Sequence, residues 1–212
     1  MANWCNSQYV FEGNHEDIEK LKNLIFEARK IVKIKQDFGP NWLGNVLVAA
    51  GLEDRIEGKD SLECRGWIED VSPIGSFGAK SLIEFQTLTA WNPMGRMWEE
   101  IIEKLNLNSI RFTFFAEESG NELFQIYDPD NLQLFAGCDF YVDCFTGNSD
   151  KPFPELSHVD YSYKELYDVL SSFFGEKDLD KLIEEANSFE AEDDPDAYIR
   201  IMEVEKLQEL ED

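Results

Sequence analysis

Two amphipathic helix patterns set among alternating strand patterns predict an α+β fold: an antiparallel sheet with helices on one face. Ser81 to Thr89 sends Ile83, Phe85, Thr87 and Thr89 one way, with Glu84 and Gln86 on the other side. Ile110, Phe112, Phe114 and Ala116 alternate in the same manner with Arg111 and Thr113, so each run reads as a half-buried strand. Charge is the third observation. The 212 residues hold 44 acidic and 19 basic side chains, a net −25, yet 43% of them are hydrophobic, as in a globular protein.

The elements follow in order. Gln8-Tyr9-Val10-Phe11 is the first strand, closed by Gly13. Asn14 caps a helix with Asp17 three residues on, and Ile18, Leu21, Ile25, Ala28 and Val32 share its apolar face. After Gly39-Pro40 a short helix spans about Trp42 to Ala50, and Gly51 stops it. Leu62 to Val71 is a strand ending in the turn Ser72-Pro73-Ile74-Gly75-Ser76-Phe77-Gly78, and Ser81 to Thr89 is the next. Asn92 suits a cap and Pro93 a first helical position, before Met94, Met97, Trp98, Ile101, Ile102 and Leu105 at helical spacing. That stripe reads as core. The strand of Ile110 to Ala116 turns at Glu118-Ser119-Gly120-Asn121 into Glu122 to Tyr127, and Asp139 to Phe145 is a further strand. The order β-α-(α)-β-β-α-β is the split β-α-β pattern of ferredoxin-like folds, with extra strands appended.

Residues 1–147 are expected to form this domain and residues 148–212 an acidic helical extension, packed on it or linked to it. From Asn148 onward there are 20 acidic residues against 6 basic ones. Ser162 and Glu165 make a capping box before Leu166, Val169, Leu170, Phe173 and Phe174. A second helix covers about Asp178 to Phe189, and Pro195 opens a last one carrying Ile201, Val204, Leu207 and Leu210.

Asn3-Trp4-Cys5-Asn6, the strand and helix after it, and Leu88-Thr89-Ala90-Trp91-Asn92-Pro93 together resemble the YubB/Api-like ferredoxin-like domain of phages, plasmids and integrated elements. The resemblance covers about residues 1–130. Where that family has an element with tryptophan, glycine and lysine, this chain has Cys64-Arg65-Gly66-Trp67, without the lysine. The resemblance implies a fold and a mobile-element origin, and no particular activity.

The charge bears on partners. So acidic a surface repels nucleic-acid phosphate and anionic lipid, and attracts basic proteins. No run of about 18 apolar residues exists to cross a bilayer. Cys5, Cys64, Cys138 and Cys144 are too dispersed for a zinc motif and read as buried thiols of a cytoplasmic protein. His15 and His158 stand in no metal-ligand spacing, and nucleotide-binding glycine loops are absent, so no catalytic residue, cofactor or metal is expected. Asp128, Asp130 and Asn131 lack the glycine and distal glutamate of a calcium loop.

The expected function is a non-catalytic interaction protein that meets a basic host protein through its acidic surface, with Glu184, Glu185, Glu192, Asp193 and Asp194 as contact candidates. DNA mimicry is a narrower form of that expectation. The alternative is a small enzyme whose site gathers at the tryptophan-rich end of the sheet, around Trp4, Trp67 and Trp91; core packing is the competing use of these rings.

Overall fold

The computed structural model describes residues 3–31, 38–118, 120, 122–145, 154–156, 159–189 and 196–210. It is a mixed α+β structure whose elements run β1 (Trp4–Gly13), α1 (His15–Ala28), α2 (Leu43–Ala49), β2 (Gly66–Glu69), β3 (Gly75–Phe77), β4 (Lys80–Ala90) and α3 (Gly95–Lys104). Then come β5 (Arg111–Glu118), β6 (Leu123–Tyr127), β7 (Phe140–Phe145), β8 (Asp160–Tyr161), α4 (Tyr163–Phe174), α5 (Leu179–Asn187), β9 (Tyr198–Glu203) and β10 (Glu205–Leu207). The chain divides into two compact units, Met1–Leu134 with Lys206–Asp212, and Phe135–Glu205.

In the first unit the sheet order is β10-β6-β5-β1-β4-β2, with β3 also paired to β4. The pairings of β1 with β4 and β5, and of β4 with β2, are antiparallel. The registers Tyr9↔Phe85, Tyr9↔Phe114 and Phe11↔Phe112 put large rings side by side on one face. Against that face pack Ile18, Leu21 and Ile25 of α1, Leu43 and Leu47 of α2, and Met97, Trp98 and Ile101 of α3, all nearly without solvent exposure. Asn14 sets the corner into α1: its side chain accepts the Asp17 backbone N–H at 2.8 Å, pairing one of the orphan donors of the first turn.

The second unit is a three-stranded antiparallel sheet, β8-β7-β9, with α4 and α5. Leu166, Leu170, Leu179 and Leu182 form one core with Phe140, Val142, Tyr161, Ile199 and Ile201. The capping box is present: the Ser162 backbone N–H donates to Glu165 Oε2 at 3.0 Å, and the Glu165 N–H to Ser162 Oγ at 3.3 Å. Asn187, closing α5, stands in for a strand neighbour of β9. Its Oδ1 accepts the Ile201 N–H at 2.7 Å and its amide donates to the Ile201 carbonyl at 3.2 Å.

Four expectations change. The helix placed at Pro93 starts at Gly95, because Thr89 Oγ donates to the Asn92 carbonyl at 2.7 Å and Trp91 takes φ +77°, holding the segment in a turn. Gly75–Phe77, expected as turn, is a short strand on β4. Residues after Pro195 are strands: Ile199 and Ile201 are buried while Tyr198 and Arg200 are exposed, a period of two. The extension is therefore not wholly helical, and β7, expected in the first sheet, is the middle strand of the second. The boundary expected at residues 147–148 and the helix position of Val32 lie outside the described residues.

Phe112 is 5% exposed and stacks on Phe11 at 5.0 Å between centroids. Phe112→Ala is expected to destabilise the first unit by about 3–5 kcal/mol, read as a lower urea midpoint with the slope unchanged.

Candidate functional site

The acidic candidates divide by position. Glu184 and Glu185 are exposed on α5, whereas Glu192, Asp193 and Asp194 lie outside the described residues. Leu179, Leu182 and Ala186 face the core of the second unit, so the opposite side of α5 is turned to solvent. There Asp180 and Glu184 stand four residues apart, a like-charge spacing that weakens a helix. Glu184 and Glu185 also occupy the last turn, which has no basic residue, where the helix dipole disfavours negative charge. Three lysines of this region are already engaged on the same pair of helices and their caps: Lys164 with Asp168, Lys177 with Glu185, and Lys181 with Asp178.

Beside this face is an open cleft of about 450 Å³, lined by Tyr163, Tyr167, Lys177, Asp178, Leu179 and Asp180. Tyr163 begins α4 directly after the cap residue Ser162, and Tyr167 follows one turn later on the same side. Asp178 and Asp180 come from the start of α5. Two phenol rings and the Asp180 carboxylate converge there beside Asp178, which Lys181 pairs at 3.0 Å, and Lys177, which Glu185 pairs, so the rings and Asp180 are what the cleft offers the ammonium or guanidinium end of a basic side chain. Reading the sequence missed this cleft. The capping box and the Asp178-Leu179-Asp180 start were both visible, but the packing that brings them together was not.

The tryptophans are brought together only in part. Trp4 and Trp67 touch, with ring centroids 5.3 Å apart, on the sheet face opposite the aromatic core. The Trp67 indole N–H donates to the Phe38 carbonyl at 2.8 Å, and the Phe38 ring lies tilted against Trp42 with centroids 5.0 Å apart. Trp91 directly follows the Ala90–Trp4 pair. Core packing holds for Trp42, whereas Trp4 and Trp91 are 41% and 45% exposed: both stand at strand ends, beyond the reach of the helices.

The remaining titratable groups are placed as follows. His15 Nδ1 lies 3.2 Å from Ser81 Oγ, but the neighbouring Asp17 carboxylate is held by Ser109, accepting from its hydroxyl at 2.7 Å and its backbone N–H at 3.3 Å. That carboxylate therefore fixes a loop and does not orient the imidazole. His158 lies outside the described residues. Cys5, Cys64 and Cys138 are buried free thiols, and Cys144 is half-buried. Burial is the main force lifting the thiols of Cys5 and Cys64 from an ordinary 9.0 to about 11, which keeps them protonated and poorly nucleophilic at neutral pH. Among the described residues no group of three or more His, Cys, Asp and Glu could hold a metal ion, and no helix is long and apolar enough to cross a membrane. The Asp128 carboxylate accepts the Leu132 and Gln133 backbone N–H groups at 2.7 and 2.9 Å, which is turn chemistry.

No family model, curated protein or solved structure matches the chain.

The raised thiol pKa values carry a sign. Folded Cys5 and Cys64 keep protons that the unfolded chain loses near pH 9, so their contribution is whole below that pH and lost as pH rises through 11. The urea midpoint of the protein should therefore decline between pH 9 and 11, and decline less in Cys5→Ala/Cys64→Ala, as read by unfolding at stepped pH.

Proposed function

We propose that this chain is a non-catalytic interaction protein that binds a basic protein through its acidic second unit. The cleft of Tyr163, Tyr167, Asp178 and Asp180 carries the reading, because it offers ring faces and the Asp180 carboxylate to a lysine or arginine side chain. Around it Asp180, Glu184 and Glu185 supply a negative field. Like charges at helical spacing and carboxylates at a helix C-terminus cost helix stability, a cost that solubility alone would avoid by placing the same charges elsewhere. A surface that steers a basic partner does gain from them. The net −25 argues against nucleic acid, anionic membrane or a second copy of the chain as partner. DNA mimicry is the narrower form of the proposal, for a partner from which DNA and this chain displace one another.

The first unit supports a ferredoxin-like reading. Four of its strands stand in the order β5-β1-β4-β2, with α1 joining β1 toward β2 and α3 joining β4 to β5. The two segments that carry the resemblance to YubB/Api-like domains are neighbours: Trp4 pairs with Ala90, and the Trp91 N–H donates to the Asn3 carbonyl at 3.0 Å. On that resemblance we place the chain in the cytoplasm of a host carrying a mobile element.

An arginine-rich peptide is the probe. Its on-rate should fall steeply with salt, since the Debye length is about 8 Å at physiological strength, and fall several-fold in Asp180→Asn/Glu184→Gln/Glu185→Gln. Fold stability should stay within about 0.5 kcal/mol. Tyr163→Ala/Tyr167→Ala should raise the off-rate roughly tenfold, on about 0.5–1 kcal/mol for each ring. Stopped-flow binding checks both, and indifference to salt and to all five substitutions leaves the acidic unit as a solubilising surface only.

A further inference from the structure

The face of the first sheet opposite the aromatic core changes character along its strands. Toward the Gly13 end Val10 and Thr113 are buried, and so is Glu12, which Lys80 pairs. Toward the other end the same face lies open. Trp4, Asn6 and Gln8 of β1 alternate outward there, with Ala90, Leu88 and Gln86 opposite them on β4. β2 adds Trp67 opposite Leu88 and Glu69 opposite Gln86, and β5 adds Glu117 opposite Asn6 and Phe115 opposite Gln8. Trp4, Asn6, Gln8, Gln86 and Glu69 are exposed, whereas Trp67, Leu88, Glu117 and Phe115 are half-buried.

Two features set this area apart from an ordinary solvated sheet face. Its rings are held in place. Trp4 and Trp67 lie against each other with centroids 5.3 Å apart and planes tilted by 52°, and the Trp67 indole N–H donates to the Phe38 carbonyl at 2.8 Å. Its centre is uncharged. Asn6 and Gln8 follow one another along the face, and Gln86 stands opposite Gln8, so three primary amides adjoin in a chain of net charge −25. Charge keeps to the margins. Glu117 accepts from the Asn6 amide at 3.3 Å, Glu69 is on the end strand, Glu84 takes the next outward position of β4, and Arg65 stands beside Ala90. An exposed apolar patch rimmed by polar groups marks a place of interaction.

We propose that this face is a binding platform for a neutral saccharide. A pyranose ring has an apolar C–H face and a rim of hydroxyls. Indole rings take the first, and primary amides, which both donate and accept, pair with neighbouring hydroxyls of the second. Other occupants fit less of the surface. A nucleic acid would need a track of Lys and Arg, and among the described residues of this half Arg65 is the one cation. An ammonium ion only donates, so the amide N–H groups would find no acceptor in it. An apolar protein surface would bury the amides without partners. The platform lies in the first unit, shares no residue with the acidic cleft, and stands whether or not a basic partner binds there.

NMR titration of the indole and side-chain amide N–H signals with cellohexaose, maltohexaose, chitohexaose and mannohexaose reads the binding. At least one hexasaccharide should shift the Trp4, Trp67, Gln8 and Gln86 signals together. Its dissociation constant is expected at about 0.1–1 mM, because an open face covers one side of the ligand, and should not change with added salt. Trp4→Ala should weaken binding about tenfold and Gln8→Ala/Gln86→Ala about fivefold, with the fold retained because these side chains are exposed. Asp180→Asn/Glu184→Gln/Glu185→Gln should leave it unchanged, which separates the platform from the acidic cleft. Absence of a saturable shift with all four sugars overturns the proposal, as does binding that survives both platform variants. Saturation by tetramethylammonium chloride or by single-stranded DNA, with none by the sugars, assigns the face to that chemistry and overturns it equally.

Discussion

Tyr9 and Phe11 of β1 lie against Phe85 of β4 at 5.6 and 5.1 Å, and against Phe114 and Phe112 of β5 at 5.1 and 5.0 Å. Trp98 of α3 closes over the group, 5.5 Å from Phe11. Much of the first unit follows from this stack. A slip of one residue in either pairing would turn every ring to the other face, so the stack fixes the register of three strands at once. It also fixes where α3 crosses, because Trp98 has to lie above the rings while Gly95 stays close to Phe114, where a Cβ would come within 2.9 Å of the ring. With the rings of β1 and β4 gathered toward the Gly13 end, these two strands present Cys5, Ser7, Thr87 and Thr89 at the other end of that face, where Ile68 of β2 and the buried Glu118 of β5 also lie.

How far the sequence disclosed this depends on which force placed each residue. Burial leaves a period, so the faces of α1, β4 and β5 were legible from Ile18, Leu21 and Ile25, from Ile83 and Phe85, and from Phe112 and Phe114. Thr87 and Thr89 already sat on the core-facing side of β4, a hint of a polar interior that alternation alone does not interpret. Ile201, Val204, Leu207 and Leu210 misled, because their threefold spacing imitates a helix although they serve two cores. Ile201 packs in the second unit, and Leu207 and Leu210 in the first. Size misled for Trp4 and Trp91, where position at a strand end outweighs hydrophobicity. The cleft was hidden for another reason: Tyr163 and Asp180 meet only because Leu166 and Leu170 pack with Leu179 and Leu182.

Charge and packing have separate tasks in the second unit. Its stability rests on an apolar core, the Ser162–Glu165 box and the Asn187 amide on β9, none of which needs the excess of carboxylates. The carboxylates of α5 oppose the helix they stand on and outnumber its lysines: Lys177 is taken by Glu185 and Lys181 by Asp178, and Asp180 and Glu184 are the excess that keeps the outward face negative. Such an arrangement is explicable when the surface has a basic partner to meet. Chemical-shift mapping with an arginine-rich peptide puts that to the most direct test. The binding proposed here predicts shifts concentrated on Tyr163, Tyr167, Asp178, Asp180 and Glu184, saturating together. Shifts spread evenly over the acidic surfaces of both units, or none at all, would contradict it.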